Sequence, residues 1–100
     1  MAKTTKSSEA VKTVRLARDL RVAGAAAAFA SLRELAVAGG SRIALDAGQV
    51  EKVDAAGLQA LVAARRLLAD SGKTVSWSGC SAPLRSAAEL LGLAEPLGLQ

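Results

Sequence analysis

Two kinds of apolar pattern, an alternation with polar residues and a continuous run, predict three strands along the chain. Apolar and polar residues alternate over about residues 12–17 and again over 74–78, and a period of two is typical of a half-buried strand. Between these segments, residues 43–45 form a short, wholly apolar run. Such a run predicts a central strand that is buried on both faces of its sheet.

Apolar residues three and four positions apart predict three helices, over residues 22–38, 55–70 and 81–92. A glycine lies at or just beyond the end of each, and glycine readily adopts the left-handed conformation that follows a last helical turn. Strand and helix alternate three times in this order. The predicted fold class is therefore α/β, a small layer fold in which a short, mostly parallel β-sheet packs with three to four helices.

The length of 100 residues is enough for one small domain. Residues 1–10 are polar and are predicted to form a flexible N-terminal segment, which leaves residues 11–100 as a single domain. No apolar run approaches the roughly 20 residues that a membrane span needs, so we expect no direct membrane insertion. A single cysteine permits no internal disulfide and is typical of a reducing cytoplasm.

The net charge of +4 comes from basic residues that are dispersed over different elements. Nucleic-acid binding usually requires basic residues gathered on one face, often beside aromatic rings, and this chain has only Phe29 and Trp77. The pattern predicts no nucleic-acid partner. It leaves an acidic protein partner open.

The segment "VDAAGL" at residues 53–58 has the features of a helix start. Asp54 suits the N-cap position, and Val53 and Leu58 have the spacing of a hydrophobic staple. Gly57, at the third helical position, costs up to about 1 kcal/mol relative to alanine inside a helix. It is explained if another backbone comes close, either from the same domain or from a partner. The alternative is a well-capped helix start and nothing more.

A strand ending in "LD", a short loop, then "VDAAGLQALVAARRLLADSGKTV" and "APLRSAAELLGL" resemble the STAS domain family, which includes the anti-sigma-factor antagonists. The resemblance covers about residues 13–93. The spelling "VDAAGLQ" is most similar to single-domain bacterial members found beside chemotaxis and two-component signal transduction systems. The resemblance implies a STAS-like fold and a non-catalytic interaction module. Its expected partner is a kinase, an anti-sigma factor or a chemotaxis-type signalling protein, bound through the turn and helix at 54–66.

In the family members that act as phosphoswitches, a serine or threonine follows the aspartate, and its phosphorylation releases the partner. The equivalent residue here is Ala55, and Ala56 follows it. Alanine has no hydroxyl oxygen to accept a phosphoryl group. The resemblance therefore implies a surface that stays in the binding-competent form.

Two further features complete the expected partner surface. Asp46 is similar to an acidic residue of the family's preceding loop, although a solvated carboxylate at a strand end is an equal alternative. Arg65 and Arg66, expected on the exposed side of the helix, complement an acidic patch or are simply solvated. The residues expected to bind the partner are Asp46, Asp54, Ala55, Ala56, Gly57, Gln59 and Arg65.

Other chemical motifs are incomplete. "SGKT" at residues 71–74 lies between a helix and a strand, the reverse of the order in a phosphate-binding loop. Cys80 near a helix start invites a lowered pKa, but no histidine exists to serve as its base, so a half-buried small residue is expected. We predict no catalytic residue, no cofactor and no metal ion.

Three alternatives remain open. Single-domain STAS proteins also serve as cytoplasmic subunits of lipid-transporting ABC systems, although those relatives usually keep a threonine in the turn. A small ligand sensed at the strand ends, beside the alanine-rich first helix, is another candidate. A homodimer is also compatible, because the polar start and the brief tail after Gly92 leave a sheet edge for self-association to cover.

Overall fold

The computed structural model describes residues 11–37 and 41–99, which form five strands and four helices. The strands are β1 (Val11–Arg15), β2 (Asp19–Leu20), β3 (Arg42–Ala47), β4 (Lys52–Val53) and β5 (Thr74–Cys80). The helices are α1 (Val22–Val37), α2 (Ala55–Asp70), α3 (Ala82–Leu90) and α4 (Ala94–Leu97). The predicted α/β class is confirmed. The proposed flexibility of residues 1–10 and the glycine stop at 39–40 lie outside the described residues.

The main sheet has the order β1–β3–β5, and both pairs of strands are parallel. Its central strand is buried on both faces, as the apolar run predicts: Ile43 and Leu45 on one face are at most 3% exposed, and Ala44 on the other is 6% exposed. In β5, half-buried Val75 and Trp77 alternate with exposed polar residues. The first strand begins one residue earlier than expected and ends at Arg15.

A β-bulge separates the two halves of β5. Leu45 pairs with Trp77, but Asp46 pairs with Gly79, so Ser78 is the extra residue. The Ser78 hydroxyl lies 3.5 Å from the carbonyl oxygen of Leu45, to which it donates. The bulge brings glycine opposite Asp46, where an added Cβ would lie 3.0 Å from the carboxylate.

A second, two-stranded sheet joins β2 and β4, also in parallel. The start of this sheet is stabilised by the carbonyl oxygen of Arg18, which accepts hydrogen bonds from the amides of Glu51 (2.8 Å) and Lys52 (3.0 Å). Each of these two-residue strands immediately precedes a long helix, α1 or α2. Pairing the strands therefore places the first turns of the two helices side by side.

The helices pack around this framework. α1 and α2 contact each other along their lengths, α2 contacts β5, and α3 contacts β4. The inner face of α2 has the helical spacing expected from the sequence, and every residue on it is at most 3% exposed. These residues are Leu58, Leu61, Ala64 and Leu68.

The C-terminal segment, residues 94–99, contributes more to the core than its length suggests. It forms the short helix α4, which contacts both α2 and α3, and it buries Leu97 (0% exposed) and Leu99 (3%). Three side chains donate hydrogen bonds to its main-chain oxygens. They are Arg65 Nη1 to Pro96 O (3.2 Å), Trp77 Nε1 to Leu97 O (2.7 Å) and Arg85 Nη1 to Leu99 O.

This packing predicts a large effect of shortening Leu97. Leu97→Ala is expected to lower the free energy of unfolding by about 2–5 kcal/mol, because it leaves a cavity between α2 and α3. Leu90→Ala is the matched control, since Leu90 is 86% exposed, and should change it by less than about 0.5 kcal/mol. Urea denaturation followed by Trp77 fluorescence measures both. Equal midpoints for the two variants would contradict the docked segment.

Candidate functional site

An open depression with a volume of about 600 Å³ lies between the start of α1 and the N-cap residue of α2. Together with three exposed residues of α2, Ala55, Ala56 and Gln59, it forms what we call the helix-start surface. The depression itself is lined by Asp19, Arg21, Val22, Ala23, Gly24 and Asp54. This surface contains four of the seven expected partner-binding residues, namely Asp54, Ala55, Ala56 and Gln59, whereas Gly57 is buried.

Asp54 is the N-cap of α2, as the sequence predicts. Its backbone is extended (φ −130°, ψ −178°), and its Oδ1 accepts a hydrogen bond of 2.8 Å from the amide of Gly57. The carboxylate is half-buried. Because the cap bond fixes it against the helix, it occupies one defined position on the wall of the depression.

Gly57 is required by a backbone contact within the domain, which decides between the two explanations left open by the sequence. A Cβ atom at this position would lie 1.9 Å from the carbonyl oxygen of Leu20 in β2. Gly24 has the same relation to Asp19, since a Cβ added there would also lie 1.9 Å from the carbonyl oxygen. Both glycines are the third residue of their helix. The two carbonyl oxygens of β2 are therefore held close to the backbones of α1 and α2.

Asp19 and Arg21 form an ion pair at the rim of the depression. Arg21 donates from its backbone amide (3.0 Å) and Nε (2.9 Å) to Oδ1, and from Nη2 to Oδ2 (2.7 Å). These hydrogen bonds hold the pKa of the Asp19 carboxyl well below its usual range, and they raise the pKa of Arg21. Both side chains are about half exposed, so water screens the pair and its contribution to stability is small. Sequence reasoning missed the pair, although the spacing "DLR" is a local signal for it.

Asp46 lies apart from the helix-start surface, at the carboxyl end of β3. Its Oδ1 accepts a hydrogen bond from the amide of Gly48 (3.0 Å), and its Oδ2 is 3.6 Å from Nε of Arg15. It closes a turn at the strand end, and its contact with a partner stays a prediction. The structure does not place it in the depression with Asp54.

The two neighbouring arginines of α2 differ in environment. Arg66 is exposed as expected, whereas Arg65 is half-buried against the C-terminal segment. Besides the bond from Arg65 Nη1 to Pro96, its Nε is buried with no hydrogen-bond partner. A Cβ on Gly98 would lie 2.7 Å from Arg65 Nη2, so the guanidinium packs against that glycine's backbone. The exposed placement predicted for both holds only for Arg66.

A smaller depression of about 200 Å³ lies between the end of β1 and α1, where the sequence suggests room for a small ligand. It is lined by Val14, Arg15, Leu16, Ala17, Gly24, Ala27, Ala28 and Ser31. Whether anything binds there stays a prediction. In the ranges 11–37 and 41–99, no three His, Cys, Asp or Glu side chains are placed to hold a metal ion.

The side chains that line the larger depression are carboxylates, a guanidinium and small apolar groups, with no hydroxyl, thiol or imidazole among them. Such a surface can bind another molecule by shape and charge. A family model described as "Mlab, STAS domain" matches residues 4–99. The chain belongs to the STAS domain family. No curated protein sequence matches it closely enough to be counted a relative.

STAS domains are generally non-catalytic and mediate protein–protein contacts in signalling or transport assemblies. The observed sheet and its helices agree with the fold expected of this STAS domain. Among the described residues, none of its helices has the length and apolar character to cross a membrane.

Cys80 of this STAS domain is half-buried at the end of β5, and its Sγ lies 3.6 Å from the carbonyl oxygen of Ser81. Burial raises the pKa of the thiol, while Arg85 opposes this rise in part. The lowered pKa that a nearby helix start suggests is therefore wrong. A half-buried small side chain describes Cys80 better.

The contact at Gly57 predicts that Gly57→Ala destabilises the STAS domain by about 1–3 kcal/mol, because the Cβ displaces the Leu20 carbonyl. This sign is opposite to helix propensity, which favours alanine. The matched control is Ala56→Gly at the preceding, exposed position, where only propensity acts and the loss should stay below about 1 kcal/mol. Urea denaturation measures both. A more stable Gly57→Ala variant would show that the contact is absent.

The raised pKa of Cys80 predicts slow alkylation by iodoacetamide. Only the thiolate reacts, and a raised pKa reduces its fraction at any pH below that pKa. The rate in the folded protein should therefore keep increasing above pH 9.0, the ordinary thiol value, whereas the urea-unfolded chain levels off near it. Mass spectrometry of samples quenched over time gives both rates. A folded protein that reacts faster than the unfolded chain at pH 7 contradicts the assignment.

Proposed function

We propose that this STAS domain is a non-catalytic interaction module in bacterial, cytoplasmic signalling. It binds a kinase, an anti-sigma factor or a chemotaxis-type protein through its helix-start surface and the outer face of α2, in the manner of an anti-sigma-factor antagonist. The observation that carries the proposal is the construction of that surface. A capped helix start and a neighbouring helix start flank an open depression whose lining has no hydroxyl, thiol or imidazole.

The backbone contacts of Gly24 and Gly57 support binding by a pre-formed surface. Because each helix start is held against a carbonyl oxygen of β2, the first turns of α1 and α2 have little freedom to lose when a partner docks. Association then loses less conformational entropy than it would with a mobile loop. The exposed methyl groups of Ala55 and Ala56 allow a partner to approach the turn closely.

The same residues make the interaction independent of phosphorylation at this turn. Ala55 has no oxygen to accept a phosphoryl group, and a phosphate there would place about two negative charges beside Asp54. Without that modification at this turn, the occupancy of the surface follows partner concentration and competition. We therefore expect a constitutive complex.

A second candidate function keeps the surface and changes the partner. In it the domain is the cytoplasmic STAS subunit of a lipid-transporting ABC system, where it braces the ATPase. Relatives in such systems usually keep a threonine in this turn, so Ala55 counts against this candidate, although a permanent subunit needs no release step. Co-purification with an ATPase and a permease supports this candidate, and co-purification with a protein kinase or anti-sigma factor supports the first.

The test is a charge at the position that would accept the phosphate. Ala55→Glu should abolish partner capture by affinity-tagged protein, since it adds a carboxylate beside Asp54 in the middle of the surface. The fold should be retained, because Ala55 is exposed and acidic residues are tolerated in a first helical turn, so the free energy of unfolding should change by less than about 0.5 kcal/mol.

The matched control is Ala30→Glu, which adds the same charge at an exposed position on α1 outside the depression. It should leave capture of every partner identified by mass spectrometry unchanged. Ala55→Ser restores a hydroxyl with little change in shape and should also capture normally. The proposal fails if the proteins retained by Ala55→Glu and Ala30→Glu are the same.

A further inference from the structure

A second depression on α2, about 260 Å³ in volume, lies beside the helix-start surface and carries the opposite charge. Two guanidinium groups and three apolar side chains line it, namely Arg65, Arg66, Val62, Ala69 and Pro96. Neither lining arginine forms an ion pair with a carboxylate of the described residues. We infer that this basic depression binds an acidic side chain, Asp or Glu, of the protein partner. This inference rests on the proposed function.

The two arginines contribute in different ways. Arg65 is fixed in place, because Nη1 donates to the carbonyl oxygen of Pro96 at 3.2 Å and its guanidinium packs against Gly98. It supplies a stationary positive charge on one wall. Arg66 is exposed, and its guanidinium has no hydrogen bond or ion pair within residues 11–37 and 41–99, so this planar group is available to a carboxylate. A guanidinium and a carboxylate form two parallel hydrogen bonds in this geometry.

An exposed stripe of α2 runs from the proposed partner surface to this depression. Ala56, Gln59, Ala63 and Arg66 are all exposed and are separated by three or four residues, so they form one outer stripe along α2. At a rise of about 1.5 Å per residue, Arg66 lies about 15 Å along the helix from Ala56. A partner of ordinary interface size that contacts the helix start also covers this distance.

The charges of the protein favour an acidic occupant. The chain carries 13 basic and 9 acidic residues, and neither Asp70, the carboxylate nearest in sequence, nor Glu95, the neighbour of Pro96, forms an ion pair with either arginine. A partner with a carboxylate about 15 Å from its contact at the helix start would be oriented along α2. The same charge would raise its rate of association at low salt.

The test uses the full chain and a defined probe, a short acetylated and amidated peptide of alternating glutamate and alanine, at low ionic strength. The Arg66 Nε–Hε resonance should shift saturably in NMR titrations. Arg66→Glu should weaken peptide binding by at least about tenfold, because a charge-assisted contact becomes a repulsive one. Arg33→Glu is the matched control, since Arg33 is exposed on α1 and makes no ion pair in the described ranges, and should weaken it by less than about twofold.

Equal losses in the two variants would overturn the inference, since net charge alone would then explain binding. Two further results would assign the depression to phosphate groups and overturn the inference as well. One is displacement of the peptide by inorganic phosphate at equal charge. The other is an Arg66→Glu variant that loses binding to phosphatidylglycerol vesicles only. Asp54→Arg separates the two hypotheses. If Asp54→Arg abolishes partner capture and leaves peptide binding intact, both hypotheses stand. If partner capture survives Arg66→Glu but not Asp54→Arg, the helix-start surface stands and the acidic contact fails.

Discussion

The helix-start surface depends on one close contact, between the backbone of each helix at its third residue and a carbonyl oxygen of β2. Gly24 meets the oxygen of Asp19, and Gly57 meets the oxygen of Leu20. Only glycine permits this approach, because any Cβ would overlap the oxygen. A two-residue strand is too short to fix the position of a helix by its ladder bonds alone. Here the strand is held instead by close packing from two sides, and the helices it joins are aligned by the same contacts.

This constraint explains how a turn without reactive groups has a defined shape. In α2, the cap bond from Gly57 to Asp54 and the contact between Gly57 and Leu20 involve the same residue. Asp54 therefore cannot move away from the helix without disturbing the contact with β2. The exposed alanines beside it are placed by backbone geometry, and their small side chains leave that geometry accessible to a partner.

The parts of the fold that extend over many residues could be predicted from the sequence, and the parts made by long-range contacts could not. A period of two or of 3.6 needs several residues to be visible, so β5 and α2 were predictable and the two-residue β2 and β4 were not. The need for a close backbone at Gly57 could also be inferred, because a glycine at the start of a helix is unfavourable without a reason. The sequence could not show which backbone approaches Gly57, because Leu20 is far from it along the chain. The buried tail was missed for the same reason: Leu97 docks on helices that no local pattern connects to it.

The two arginines of α2 show most clearly where sequence reasoning ends. Successive helical residues differ in direction by about 100°, so Arg65 and Arg66 need not share an environment even though they are the same residue type. Arg65 is turned towards the C-terminal segment and holds the carbonyl oxygen of Pro96, while Arg66 faces outwards with Gln59. Two sides of one helix therefore differ: the flank that carries Arg65 contacts the C-terminal segment, and the stripe that carries Arg66 is exposed. A molecule that contacts the exposed stripe therefore need not disturb the contacts between α2 and the C-terminal segment.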